Sequence, residues 1–165
     1  MNEIEAYIGI GSNIDPEFHV GRALYAMEQS LGPIATSLLY RSPPVGFEGD
    51  EFINGVVRVT SRAGLDALIE DLKALEKQSG RNRHASGMGS RELDLDLLLY
   101  GESILRRDGL VLPRPDILQY PFVLRPLAEL APARLHPETG RTFAWHWQHF
   151  TGISADLKPF TLPGA

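Results

Sequence analysis

The stretch Arg91-Glu92-Leu93-Asp94-Leu95-Asp96-Leu97-Leu98-Leu99-Tyr100 constrains this chain more than any other. From Leu93 onward leucine recurs at every second position, and a period of two over this length reads as a β-strand with one face in a core. Leu93, Leu95, Leu97 and Leu99 are expected on that face. Asp94 and Asp96 then share the opposite face, which continues into Leu98 and Tyr100. Two carboxylates one strand repeat apart, ~6.5 Å, repel by about 2.5 kcal/mol at an effective dielectric near ~20 and by about 0.6 kcal/mol in water. Such a pair is tolerable when solvated and costly when covered, and Leu98 and Tyr100 beside it imply cover. A divalent cation between the acids offsets the repulsion. Oxygen-only ligation by carboxylates suits Mg²⁺, which keeps waters and takes phosphate oxygens as further ligands. The plainer alternative is an edge strand whose acids only discourage aggregation.

The residues just before the strand favour the metal reading. Arg81-Asn82-Arg83-His84 leads into Ala85-Ser86-Gly87-Met88-Gly89-Ser90 and then Arg91, so three arginines flank one pliable loop that opens onto the acid pair. Arginines past a helix end also compensate its dipole. Guanidinium groups, however, clamp phosphate oxygens bidentately, and arginines beside Asp-bound Mg²⁺ meet the needs of a triphosphate. The chain as a whole has a formal net charge of −5, which argues against nucleic acid or an anionic membrane as its main partner. An anion must therefore be met by a local cation cluster of this kind.

Upstream, Ala6-Tyr7-Ile8-Gly9-Ile10 is a short apolar run followed by the turn chemistry of Gly11-Ser12-Asn13. Asp15 is expected as a helix N-cap before Pro16. Val20, Ala23, Leu24, Met27 and Leu31 follow at helical spacing, and Gly32-Pro33 ends the run. The Gly-x-Gly in this unit lacks the third glycine of a dinucleotide-binding loop, Ile14 standing in its place. Ile34 to Tyr40 reads as a second strand, stopped by Ser42-Pro43-Pro44. Phe52 to Thr60 reads as a third, with Phe52, Asn54, Val56 and Arg58 on one face and Ile53, Gly55, Val57 and Val59 on the other. An aromatic plane and an amide as same-face neighbours suit a planar heterocycle, although Phe52 also serves as an ordinary core residue. Leu65, Leu68, Ile69, Leu72 and Leu75 mark a second amphipathic helix, ending near Gly80.

Strand, helix, strand, strand, helix, strand is the order of a ferredoxin-like split βαβ arrangement, an α+β antiparallel sheet with helices on one face. Helices expected over Pro121 to Leu130, with Pro126 inside or breaking it, and over Phe143 to Phe150 supply cover for the other face, giving three layers, α/β/α. Between them Arg106 to Pro115 is charged and broken by proline. His146 and His149 lack an accompanying Glu and read as packing or surface residues. The length of 165 residues with 43% hydrophobic content fits one domain over 1–165. With no cysteine, disulfides, Cys-ligated zinc and a thiol nucleophile are excluded. The acidic start, Met1-Asn2-Glu3-Ile4-Glu5, is unlike a secretory signal or membrane span, so a cytoplasmic protein is expected.

Tyr7-Ile8-Gly9-Ile10-Gly11-Ser12-Asn13, Tyr40-Arg41-Ser42-Pro43-Pro44-Val45-Gly46, Phe52-Ile53-Asn54, Glu76, Gly80-Arg81-Asn82-Arg83, Arg91-Glu92-Leu93-Asp94-Leu95-Asp96 and Phe122-Val123-Leu124-Arg125-Pro126-Leu127 together resemble the 6-hydroxymethyl-7,8-dihydropterin pyrophosphokinases of folate biosynthesis, in the same order and over nearly the whole chain. The resemblance implies transfer of the terminal pyrophosphate of ATP to the pterin hydroxymethyl group, with release of AMP. It implies two Mg²⁺ ions on Asp94 and Asp96, with Arg81 and Arg91 on the phosphates and Arg83 assisting ATP. Lys73, Glu76, Leu97 and Arg114 fall in the nucleotide region. The pterin is expected between Phe52 and Phe122, its edge read by Asn54 and by backbone near Ser42, Pro43 and Val45. Small molecules are the expected partners, and the expected assembly is a monomer or weak dimer.

The departures fall on the nucleotide side. Gly87-Met88 stands where the family commonly has an Arg-Trp pair, Glu92 where it has Thr, Arg114-Pro115 where a His-Pro or His-Tyr pair contacts ATP, and Tyr120 where an Arg usually lies. Two other readings stay open on the sequence: a pterin-binding relative that has lost transfer, and a different Mg²⁺-dependent nucleotide transferase using the same acid pair.

Overall fold

The structure, a computed structural model, describes residues 3–46, 48–79 and 92–163. Along them run β1 (Ile4–Ser12), α1 (Pro16–Leu31), β2 (Ile34–Thr36), β3 (Leu39–Ser42), β4 (Phe52–Ser61), α2 (Leu65–Gln78), β5 (Asp94–Tyr100), β6 (Leu105–Arg107), β7 (Leu110–Leu112), α3 (Asp116–Gln119), α4 (Pro121–Leu130), α5 (Phe143–Gln148) and β8 (Lys158–Phe160). The main sheet has the order β5-β1-β4-β3-β8, with β2 also on β4, and its pairings are antiparallel. This is the expected ferredoxin-like α+β arrangement.

Each face of the sheet buries its own apolar set. Ile8 and Ile10 of β1, Ile53, Val57 and Val59 of β4, and Leu95 and Leu97 of β5 pack with Val20, Ala23 and Met27 of α1 and Leu68, Leu72 and Leu75 of α2. On the other face Tyr7, Val56 and Leu98 pack with Ile117 of α3, Leu124 and Leu127 of α4 and Phe143 of α5. The alternation expected for Phe52 to Thr60 is therefore observed, and the three layers are present.

Four local expectations are corrected. Leu99 lies with Leu98 among the residues facing α3–α5, and Tyr100 packs on the opposite side, against the α1–α2 core. The register of β1 on β5 shifts between Tyr7 and Ile8, which pair with Leu99 and Leu97, so Leu98 is the extra residue of a bulge. One inserted residue reverses every later side chain. Second, the strand expected over Ile34 to Tyr40 is two strands. Between them Ser37 N donates to Val56 O at 2.8 Å, while Val56 N donates to the Ser37 hydroxyl, also at 2.8 Å. A side-chain oxygen thus replaces one carbonyl of the ladder and the strand pairing is interrupted. Third, Asp15 is the N-cap residue of α1 ahead of Pro16, as expected, but it caps in a left-handed conformation, φ 44°, and without a side-chain bond. Fourth, the stretch Arg106 to Pro115 contains most of a hairpin, β6 with β7.

Strand β5 is the edge of the sheet, yet that edge is not bare. The outward N–H of Leu95 donates to Glu76 Oε2 of α2 at 2.7 Å, and the Leu98 carbonyl accepts from Arg114 N at 2.9 Å. Both bonds fix β5 on the side that has no strand partner among the described residues, which covers the exposed edge.

One pH effect arises in the fold itself. His136 is buried, and its Nδ1 accepts from the backbone N–H of Glu138 at 3.1 Å and of Thr139 at 3.3 Å. Burial and the neighbouring His146 hold its pKa below the ordinary value. A protonated Nδ1 cannot accept, so the fold requires neutral imidazole. The depressed pKa means the unfolded chain takes the proton first. The stabilisation is therefore complete above about pH 6.5 and is lost as pH falls below it. Urea midpoints are expected to drop between pH 7.5 and 5, the loss being about 1–2 kcal/mol for two backbone bonds. In His136→Gln, whose amide oxygen accepts at any pH in this range, the slope is expected to flatten.

Candidate active site

The motif Gly9-Ile10-Gly11, which the sequence left without a role, opens the site. In the register of the sheet Gly9 lies between Asp96 of β5 and Val56 of β4, and Gly11 lies between Asp94 and Asn54. Side chains on flanking strands stand over the sheet, and β1 offers nothing between them but backbone. A cavity of about 420 Å³ results, floored by Gly9, Ile10 and Gly11. The space is tight: a Cβ on Gly11 would lie 2.6 Å from Asn54 Oδ1.

Its walls come from three segments. The end of β3 and the loop after it supply Ser42, Pro43, Val45 and Gly46, β4 supplies Phe52, Asn54 and Gly55, and the segment of α3 and α4, with Tyr120 between them, supplies Asp116, Tyr120, Phe122 and Val123. Asn54 Nδ2 donates to Ser42 Oγ at 3.3 Å, which leaves the amide oxygen directed elsewhere. The rings of Tyr120 and Phe122 are stacked, centroids 5.1 Å apart and 26° from parallel. All six residues expected to hold a pterin thus line one cavity, and Asp94, Asp96 and Leu98 line it too. A volume of this size with an apolar lining and a few convergent polar groups is the form of a small-molecule site.

Charge is concentrated at one end. The Asp96 carboxyl is held well above the ordinary carboxylate range, first by burial and then by the neighbouring charge of Asp94, with Arg114 opposing and Asp116 adding to the shift. Arg114 Nη2 stands 3.5 Å from Asp96 Oδ1, and its Nε stands 3.4 Å from Asp116 Oδ2. Among the described residues no three His, Cys, Asp or Glu side chains form a metal-holding group. Two neighbouring carboxylates, with no nitrogen or sulfur donor grouped with them among the described residues, fit Mg²⁺, whose remaining ligands are water and substrate oxygens.

Of the nucleotide-side residues, Arg114 meets the acid pair, whereas Lys73, Glu76 and Leu97 do not line the cavity. Lys73 lies on the exposed side of α2, 3.9 Å from Glu70. Glu76 is buried against β5 through Leu95 N, and the Leu97 side chain is in the α1–α2 core. Arg81, Arg83 and Arg91, with Gly87 and Met88, lie outside the described residues. Asp116 and Tyr120 were not among the expected site residues. Asp116 follows Arg114-Pro115, and the spacing Arg-x-Asp beside a proline was the only signal; Tyr120 was noted only as a departure, yet it extends the aromatic wall.

Comparison with known proteins gives the following. Residues 7–132 match the family model of 7,8-dihydro-6-hydroxymethylpterin-pyrophosphokinase (HPPK). The chain is 40% identical over 131 residues to the 2-amino-4-hydroxy-6-hydroxymethyldihydropteridine pyrophosphokinase of Pseudomonas aeruginosa, covering 76% of this chain and 80% of that protein. It is 36% identical over 140 residues to the protein of the same name in Synechocystis sp., covering 83% and 71%. To the folic acid synthesis protein fol1 of Pneumocystis carinii it is 32% identical over 158 residues, which are 93% of this chain and 21% of that one. A crystal structure of HPPK-DHPS in complex with substrates shares the fold, with a TM-score of 0.73 and 12% identity over 91% of this chain and 44% of that chain. The chain therefore spans about a fifth of fol1 and under half of the HPPK-DHPS chain.

Proposed function

This chain belongs to the 7,8-dihydro-6-hydroxymethylpterin-pyrophosphokinase family, and from that premise we propose that its cavity binds 6-hydroxymethyl-7,8-dihydropterin and passes it the terminal pyrophosphate of ATP. The observation that carries the reading is the sharing of one cavity by the flat-ring set, Phe52, Asn54 and Phe122, and the acid pair, Asp94 and Asp96. In the reaction the pterin hydroxymethyl oxygen forms a bond to the β-phosphorus of ATP, loses its proton, and the bond from that phosphorus to the oxygen of the α-phosphate breaks, so AMP leaves.

The residues divide the work. Phe52 and Phe122 hold the ring by its faces, and Asn54, fixed by Ser42, meets its polar edge, which places the hydroxymethyl arm toward Asp94 and Asp96. Asp94 and Asp96 hold Mg²⁺, two ions in this reading. When bound, Mg²⁺ neutralises charge on the bridging and leaving phosphate oxygens, the larger part of catalysis in phosphoryl transfer. Arg114, Arg81, Arg83 and Arg91 meet the phosphates, and Lys73, Glu76 and Leu97 belong to elements that flank the nucleotide. No strong general base is required. Glu76 contributes by holding β5, and with it the acid pair, in place.

This reading treats 1–165 as one unit, a cytoplasmic enzyme acting as a monomer or weak dimer on small molecules. Among the described residues no helix is long and apolar enough to cross a membrane. The test is incubation of the pure chain with Mg²⁺, ATP and the hydroxymethyldihydropterin. AMP is expected in step with pterin pyrophosphate. ADP as product, or nucleotide turnover indifferent to pterin, would falsify the assignment, and pterin binding without AMP would mark a relative that has lost transfer.

Gly11→Ala separates the floor from the fold. The added methyl meets the Asn54 amide oxygen, the free end of a side chain, so the amide moves and the backbone does not. The pterin KM is expected to rise about ten-fold, the scale of one well-placed hydrogen bond, with the melting temperature close to native. An unchanged pterin KM would remove Asn54 from ring recognition. Closure of the loop from Val45 to Glu51 over bound substrates is a further expectation, as is closure of the loop from Arg83 to Ser90, which lies outside the described residues. Hydrogen exchange there is expected to slow with a nonhydrolysable ATP analogue plus pterin.

A further inference from the structure

Arg114 sits where two demands on it conflict. Its backbone is fixed by the bond from Arg114 N to Leu98 O at 2.9 Å and by Ile117 N donating to Arg114 O at 3.1 Å, so the side chain starts from a set place at the head of α3. From there it spans Asp96 and Asp116 at 3.5 and 3.4 Å. The contact to Asp96 is made by Nη2, and the one to Asp116 by Nε, which is buried and, among the described residues, completes no hydrogen bond. A guanidinium held loosely between two carboxylates satisfies neither fully and can be yielded by one to the other.

We propose that Arg114 is an internal counter-ion that competes with the divalent cation for Asp96, and that Asp116 is the positioning residue that takes Arg114 when the cation enters. The inference rests on the metal reading above and concerns what the site does before it is loaded. Without a cation, Arg114 offsets the charge that Asp94 and Asp96 place together in a covered cavity. With a cation on the pair, like charges on one carboxylate repel, and Asp116 keeps the guanidinium beside the cavity, where its remaining N–H groups face the phosphate-bearing substrate. Asp116 acts through Arg114, and loss of either is expected to raise the KM for ATP more than it lowers kcat.

The decisive readout is cation affinity in the absence of nucleotide, measured on the full chain by the electron paramagnetic resonance of free Mn²⁺. Arg114→Ala is expected to tighten Mn²⁺ binding about three- to five-fold, the scale of a half-exposed ion pair. Arg114→Met, which keeps much of the stem, is expected to do the same and serves if the alanine variant does not fold. Asp116→Asn is expected to weaken Mn²⁺ by a similar factor, because Asp116 then no longer draws Arg114 from Asp96, and Asp116→Glu is expected to restore it. The double variant separates the routes: if Asp116 works through Arg114, Asp116→Asn has little effect once Arg114 is gone. An undiminished loss in the double variant would show a direct field effect of Asp116 and overturn the proposal. Equal Mn²⁺ affinity in the native chain and all variants would overturn it while leaving the metal reading intact. No Mn²⁺ uptake by the native chain would overturn both.

Discussion

Asp94→Asn and Asp96→Asn each reduce pyrophosphoryl transfer by at least about a thousand-fold, the expected scale when the ligands of an essential cation are lost, and neither lowers the melting temperature at pH 7.5 in the absence of divalent cation. The second half of that expectation distinguishes a working site from a structural pair. Asp96 has its pKa raised by burial and by Asp94, so the folded state disfavours its charged form. Its contribution to stability is complete below the unfolded value near pH 4 and is lost as pH rises through the raised folded one. At pH 7.5 the pair is a cost, relieved by an uncharged amide of the same shape, with a gain of about 1 kcal/mol at intermediate screening. Thermal unfolding with and without Mg²⁺ checks this. The native chain is expected to gain stability from Mg²⁺ with an ATP analogue, and the variants are expected not to. Two variants that melt far below the native chain and respond to Mg²⁺ as it does would reassign the acids to the fold.

Phe122→Ala raises the dissociation constant for hydroxymethyldihydropterin by about 30- to 100-fold, since stacking of a flat heterocycle on an aromatic ring is worth ~1–3 kcal/mol and the ring also excludes water. Phe122 is the second residue of α4, two positions after Tyr120, whose ring stacks on it with centroids 5.1 Å apart. The partner ring limits its freedom, so the wall is formed before the substrate arrives and little ordering is needed on binding. Truncation removes the stacking surface and also leaves Tyr120 unsupported. The effect is expected in the pterin constant and not in the KM for ATP, and titration calorimetry with pterin alone measures it without turnover. A loss shared equally between pterin and ATP would mean that Phe122 serves the architecture of α4 and not the ring.

Much of this is legible in the sequence alone. The leucine alternation of β5, the acid pair on its other face, and the same-face placement of Phe52 and Asn54 follow from the two-residue period of a strand, a local property carried by the chain itself. The positions of α1 and α2 follow likewise from helical spacing. What failed was decided between distant segments. The two-residue period runs through Leu99 and Tyr100 without a break, yet the register of β1 on β5 inserts a bulge at Leu98 and both side chains change faces. Strand β8, three residues long, exists because β3 offers it an edge. A segment that short holds no period to read.

The same division runs through the site. Residue types and their order along the chain raised a flat-ring pocket and a metal-competent pair as expectations, because aromatic planes, amides, carboxylates and guanidiniums carry their chemistry wherever they are placed. That the two belong to one cavity, with Gly9 and Gly11 as the bare floor between β4 and β5 and Asp116 brought to Arg114 and Asp96, was decided only by tertiary structure. Adjacency across a sheet depends on which strands pair and in what register, and the pairings of β1 with β4 and β5 join residues about forty or more positions apart through free energies that no local stretch contains.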